Sequence, residues 1–116
     1  MLHMTELTAS DPVASAAWYC DHFDFVVALT DAANGFVLLT HPDGGRLALK
    51  AGTPAAAGVK LHLEVADLDG HVARLSNSGV VAKGNIKASD EGYRRARFAD
   101  PDGVVVVLFE WCRPPA

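Results

Sequence analysis

Cysteine is scarce in this 116-residue chain, which holds two, Cys20 and Cys112. Two thiols without a CxxC spacing exclude a disulfide framework and leave no redox or zinc motif. Cys20 falls among apolar helix residues and reads as a buried free thiol. A basic surplus is also missing. Ten Lys and Arg against fourteen Asp and Glu give a net charge of -4, which argues against a non-specific nucleic-acid binder. The locally basic Arg94, Arg95 and Arg97 read as a solvated strand face or a small anion contact. No apolar run approaches the roughly 20 residues of a membrane-spanning helix. The N-terminus lacks the charged and apolar regions of a signal peptide. The expectation is a cytoplasmic protein without membrane contact. Phosphate-binding GxGxxG and Walker patterns are absent, as is the Gly-x-Ser-x-Gly elbow of a serine nucleophile. Neither cysteine has a motif or paired histidine that marks a nucleophile.

What is present is the balance of a globular domain, 50% hydrophobic and 21% charged, at a length that suits one domain with a real core. Within it lies a repeat. ELTASDPVASAAWYCDHFDFVV surrounds Asp11, and HLEVADLDGHVARLSNSGVVA surrounds Asp67. In each, an alternating segment ends at an Asp, a helical pattern follows, and a strand-like stretch comes next. HPDGGRLAL from His41 and DPDGVVVVL from Asp100 are each a Pro-Asp-Gly turn leading into an apolar strand. The Asp pair is 56 residues apart and the Pro-Asp-Gly pair 59 apart. Two landmarks recurring at nearly one offset indicate duplication.

Local physics supports the repeated unit. Asp11 suits a helix N-cap, and Pro12 suits the first turn because its missing N–H would be unsatisfied there anyway. Val13, Ala16, Ala17 and Cys20 then share one helical face. Asp67 caps the second helix, Leu68, Val72 and Leu75 form its stripe, and Gly79 can end it in a left-handed conformation. Strands are expected at Met4–Ala9, Phe25–Thr30, Gly35–Thr40 and Arg46–Ala51, then at Lys60–Val65, Val80–Ile86, Tyr93–Phe98 and Val104–Trp111. Asn34-Gly35 and the two Pro-Asp-Gly segments supply the turns. The pattern is βαβββ twice over, an α+β arrangement with helices on one sheet face. One module covers residues 1–52 and the other 59–116, joined by the Ala-Pro-Gly-rich stretch at 53–58 within a single domain. His22, His41 and His71 fall in a helix end, a turn and a helix, where surface histidines are unremarkable.

The segments Asp11–Tyr19, Val65–Leu68 and Phe98–Gly103, in this order and spacing, resemble the glyoxalase, bleomycin-resistance and dioxygenase superfamily, also called vicinal oxygen chelate proteins. The resemblance covers essentially the whole chain. Asp24 departs from it, standing where the family usually has a Gly, although Asp tolerates the left-handed region better than most residues. The resemblance implies two modules curling into an incomplete barrel around a cavity, commonly as a homodimer.

It also implies where a metal would sit: on the first strand of each module and on the last strand of each. Those positions hold Met4, Ala48, Lys60 and Val107. None is a usual ligand, and an ammonium at Lys60 repels a divalent cation. No metal and no cofactor are therefore expected, and glyoxalase I activity is not. Glu6 and His62 lie two residues beyond the usual ligand positions and keep their parity. With Glu64 they are the candidates for a shifted metal site or for acid–base work in a lyase, isomerase or dioxygenase. Otherwise Lys60 or His62 neutralises Glu6 and Glu64 in a polar wall.

The expected cavity face holds Met4, Glu6, Lys60, His62, Glu64, Val107, Phe109 and Trp111, with Tyr93 and Arg95 at its mouth. Such a mixed wall suits a small organic ligand, planar and aromatic or cationic. The reading favoured by the sequence is a small-molecule binding protein like the bleomycin-resistance members, sequestering a drug-like or reactive metabolite without metal, as in antibiotic resistance.

Overall fold

The structure, a computed structural model, describes residues 1–112. Its elements run β1 (Thr5–Ala9), α1 (Pro12–Phe23), β2 (Val26–Asp31), β3 (Phe36–Thr40), β4 (Arg46–Ala51), β5 (Lys60–Glu64), α2 (Leu68–Asn77), β6 (Lys87–Ala88), β7 (Tyr93–Ala99) and β8 (Val105–Trp111). They form two compact units. One is Met1–Ala56 with Asp100–Asp102, and the other is built on Ala57–Ala99 and the segment from Gly103. Each unit is a βαβββ module with one four-stranded mixed sheet, ordered β1-β4-β3-β2 in the first and β5-β8-β7-β6 in the second. In both, the first strand lies parallel to the last and the remaining pairs are antiparallel. A parallel pair needs a crossover, and the helix after the first strand supplies it. Among the described residues, no helix is long and apolar enough to cross a membrane.

Both helices begin as the sequence predicts. Asp11 accepts from the Ala14 N–H at 3.2 Å with Pro12 in the first turn, and Asp67 accepts from the Gly70 N–H at 3.0 Å. Asp24 ends α1 in the left-handed region at φ 65°, in keeping with its place at a position that favours Gly.

The face that α1 buries differs from the expected stripe. Ser15, Ala16, Tyr19 and Phe23 point inward, whereas Val13 is 62% exposed, Ala17 is exposed and Cys20 is only half-buried. The helix is apolar on most of its circumference, so periodicity favours no face strongly. Its aromatic residues select one by packing on the layer of Leu7, Val37, Leu39, Leu47 and Leu49. In α2 the buried stripe is Leu68, His71 and Leu75, with Val72 at its margin. His71 is therefore not a surface histidine.

A second correction concerns Val80–Ile86. This stretch is not a strand. Gly84 takes φ 75°, the Lys83 N–H donates to the Arg97 carbonyl at 2.8 Å, and ladder pairing starts only at Lys87 and lasts two residues. A glycine with positive φ inside a short apolar run breaks the extended conformation before a ladder can form.

The first unit is held by bonds to the Asp100–Asp102 turn. The buried Tyr19 hydroxyl donates to Asp100 Oδ2 at 2.7 Å. Ser10 donates to the Asp102 carboxylate twice, from its backbone N–H at 3.1 Å and its hydroxyl at 2.5 Å. Burial pushes the Tyr19 phenol far above its ordinary pKa, and the hydrogen bond to Asp100 adds to the shift.

Candidate functional site

The second sheet has two faces of different chemistry. Arg94 on β7 makes a bidentate pair with Asp69 on α2, both bonds at 2.9 Å. Glu110 on β8 accepts from the backbone N–H of Leu68 at 2.8 Å. Arg94 and Glu110 are register partners, so α2 covers their face, together with the buried Ala96, Phe98, Val106 and Leu108. The Arg94 guanidinium holds the Asp69 carboxyl below the usual carboxylate range, first through these hydrogen bonds.

Strand alternation sends the intervening residues to the other face. It carries Lys60, His62 and Glu64 from β5, Val105, Val107, Phe109 and Trp111 from β8, and Tyr93, Arg95 and Arg97 from β7. The register sets them in rows. Glu64, Phe109, Arg95 and Lys87 form one, His62, Val107 and Arg97 the next, and Trp111 and Tyr93 another.

Four rings gather on this face. Phe109 stands 5.8 Å from Tyr93, 5.7 Å from Trp111 and 6.4 Å from His62 between ring centroids, and Tyr93 stands 5.6 Å from Trp111. All four contacts are edge-on, the preferred geometry of ring quadrupoles. Phe109, Trp111 and Tyr93 are half-buried and His62 is exposed. The cluster therefore shows ring surface at the sheet face rather than closing into a core. Val107, in the adjacent row between His62 and Arg97, is 1% exposed.

Of the ten residues that the sequence places in the cavity wall, eight lie on this face. The remaining two belong to the first unit. Glu6 sits on β1 in register with Ala48, on the face away from Leu7 and Leu49, and Met4 immediately precedes that strand. Glu64 makes no ion pair with Lys60 or His62 among the described residues, so neutralisation by those neighbours is not realised within the second unit. Sequence reasoning passed over Arg97 and Lys87 as members of this face. Arg97 shares parity with Tyr93 and Arg95 and was legible. Lys87 follows only from the β6–β7 register.

The positions at which the resemblance puts a metal offer a poor donor set. Met4 contributes a thioether, Ala48 and Val107 are aliphatic and buried, and Lys60 carries a cation. These residues do not fit a divalent ion that takes imidazole and carboxylate ligands. Within each unit, no three His, Cys, Asp or Glu side chains gather among the described residues.

The first unit has a concavity of its own, about 470 Å³ in volume, where Met1–Thr5 meets the β3–β4 turn. His3, His41 and Arg46, with Thr5 and Thr40, are its polar lining. Arg46 donates to the His3 carbonyl at 3.3 Å, and His41 Nε2 bonds the Phe23 carbonyl at 3.2 Å. Both side chains thus have structural partners.

Two βαβββ modules, each with a capped helix on one face of a mixed sheet and ring-bearing or polar residues on the other, define a duplicated-module α+β protein. The chain belongs to the glyoxalase/bleomycin resistance protein/dioxygenase superfamily, whose family model matches residues 1–108. Solved structures with the same fold include the bleomycin resistance determinant encoded on transposon Tn5, at 21% identity and TM-score 0.75 over 95% of this chain and 97% of that one. Lactoylglutathione lyase from Agrobacterium tumefaciens matches at 19% identity and TM-score 0.78, over 95% and 92%. The oxidase ChaP-H2 matches at 26% identity and TM-score 0.77, over 98% and 94%. No curated protein sequence matches the chain.

Proposed function

We propose that this protein binds a planar small molecule against Tyr93, Phe109 and Trp111 and sequesters it without a metal. The observation that carries this reading is the linked ring cluster on the face that α2 leaves uncovered. Ring surface of this kind stacks on a planar ligand, and a few polar groups around it set orientation. Lys60, His62, Glu64 and Arg95 are the polar groups of the second unit in this role, with Val107 as part of the apolar wall. The donor set at the family's metal positions supports a metal-free site. Likeness to a bleomycin resistance determinant supports a role in resistance, carried out by a cytoplasmic homodimer.

The test is a thermal-shift and fluorescence titration with planar aromatic compounds, on wild type and on Phe109→Leu and Trp111→Leu. Binding to the folded state raises the melting midpoint by mass action. Saturable binding that both substitutions weaken supports the reading. No binding by any planar compound, or binding that neither substitution affects, refutes it.

A second reading is catalytic. His62 is an edge neighbour of Phe109 and lies two residues from Glu64 on the same strand face, so a proton donor and acceptor stand beside the rings. Likeness to an oxidase favours it. Metal analysis of protein purified without chelators or a metal-affinity tag separates the two. A stoichiometric divalent metal that disappears in His62→Ala supports catalysis at a shifted site and defeats sequestration as stated.

A further inference from the structure

The ring face of the second sheet is also a cationic face, and its charges are arranged at a cost. Arg95 and Lys87 are direct register partners on β7 and β6. Directly opposed residues of an antiparallel pair point to the same side, and like charges placed so repel. Arg97 adds a third cation two residues along β7, and Lys60 a fourth on β5. Against these the face carries one carboxylate, Glu64, on the far side of Phe109 from Arg95. Two strand spacings, roughly 10 Å, separate those backbone positions. Neither Arg95 nor Glu64 has an ion-pair partner among the described residues. Arg94, by contrast, is fully engaged with Asp69 on the opposite face. The arginine cluster is thus divided by strand parity, one member bonded to the helix and two turned toward the rings.

We propose that the ligand of this face is a planar aromatic molecule bearing an anionic substituent, with its ring stacked at Phe109 and Trp111 and its anion between Arg95 and Lys87. This rests on the stacking reading above and fixes the charge of the ligand. A cationic ligand would meet four like charges and one carboxylate, whereas an anion relieves the Arg95–Lys87 repulsion. Arg95 neighbours Phe109 across the ladder and Tyr93 along the strand, so an anion there lies at the rim of the ring surface. A guanidinium in that position suits a carboxylate through paired N–H bonds. A single-stranded nucleic acid also combines rings with negative charge, but the chain's net charge of -4 disfavours a polyanion.

The experiment is a calorimetric titration of the full chain with three matched probes: 2-naphthoate, its neutral amide 2-naphthamide, and the cation 2-naphthylmethylammonium. A twelve-residue oligothymidylate is the fourth arm. The expected result is that 2-naphthoate binds at least tenfold more tightly than the amide and the cation binds weakest. Arg95→Gln and Lys87→Gln, checked for a melting midpoint no lower than that of the wild type, should abolish the preference for 2-naphthoate over the amide. Rising salt should narrow it. Equal binding of all three probes, lost in Phe109→Leu, overturns the anion assignment and spares the stacking reading. Failure of every probe overturns both. Tighter binding of the oligonucleotide than of 2-naphthoate overturns the small-molecule assignment.

Discussion

Tyr19 and Asp100 are 81 positions apart in the chain, and the phenol donates to the carboxylate at 2.7 Å with both side chains buried. The bond links α1 to the turn before β8. With the packing of Tyr19 and Phe23, it accompanies the burial of one side of a largely apolar helix.

Tyr19→Phe removes this donor and keeps the ring. A hydrogen bond to a charged group contributes about 1.5–3 kcal/mol, and a loss of that size is expected in urea unfolding. An unchanged midpoint would show that the bond is not formed in solution.

The same pair predicts a dependence on alkali. The folded chain holds the Tyr19 phenol protonated well above its ordinary pKa of 10.0. Below pH 10.0 neither state ionises it, and its contribution is fully present. Above that the unfolded chain loses the proton while the folded chain keeps it, so stability falls as pH rises. The wild type should lose stability between pH 9 and 11 more steeply than Tyr19→Phe in parallel urea titrations; parallel slopes would contradict it.

Lys87→Glu replaces a like-charged cross-strand pair with an attractive one. Pairs of this kind contribute roughly 0.2–1 kcal/mol, and the substitution should stabilise the protein by that order in chemical denaturation. Destabilisation would mean that Lys87 and Arg95 do not share a face.

Gly35 sits at φ 61°, and a Cβ built there lies 2.7 Å from the Ala51 Cβ. Gly35→Ala should cost about 1–2 kcal/mol from the left-handed backbone alone, with the close contact adding to it. A loss below half of that in urea unfolding would show that the turn relaxes.

The two thiols should separate kinetically. Cys112 is exposed, while Cys20 is half-buried, and burial together with the neighbouring Asp21 charge pushes its thiol up. A thiol-disulfide reagent at pH 8 should label one site quickly and the other at least tenfold more slowly. A single labelling phase for both would refute the assignment.

Particular residues show how far the sequence carries. Asp11, Pro12, Asp67 and the two Pro-Asp-Gly turns act through neighbours a few positions away, so their roles are written locally and the βαβββ order follows. The inward face of α1 depends on a partner 81 residues distant, and no local period encodes that. Val80–Ile86 reads as a strand because its apolar residues are dense, yet Gly84 alone decides against it. At the site, parity alone gathers His62, Glu64, Tyr93, Phe109 and Trp111 on one face. The opposition of Lys87 to Arg95 requires the pairing register, which composition does not carry.

The grouping of Asp100–Asp102 with the first unit bears on how such a chain is divided or shortened. A fragment ending at Ala56 would carry every helix and strand of its module and still lack the acceptors for Tyr19 and Ser10. Half the gene would not encode half a protein. Truncation at the repeat boundary should give a product that stays unfolded or recruits the missing turn from a second molecule, whereas a chain permuted to begin at Ala57 keeps all its acceptors and should fold.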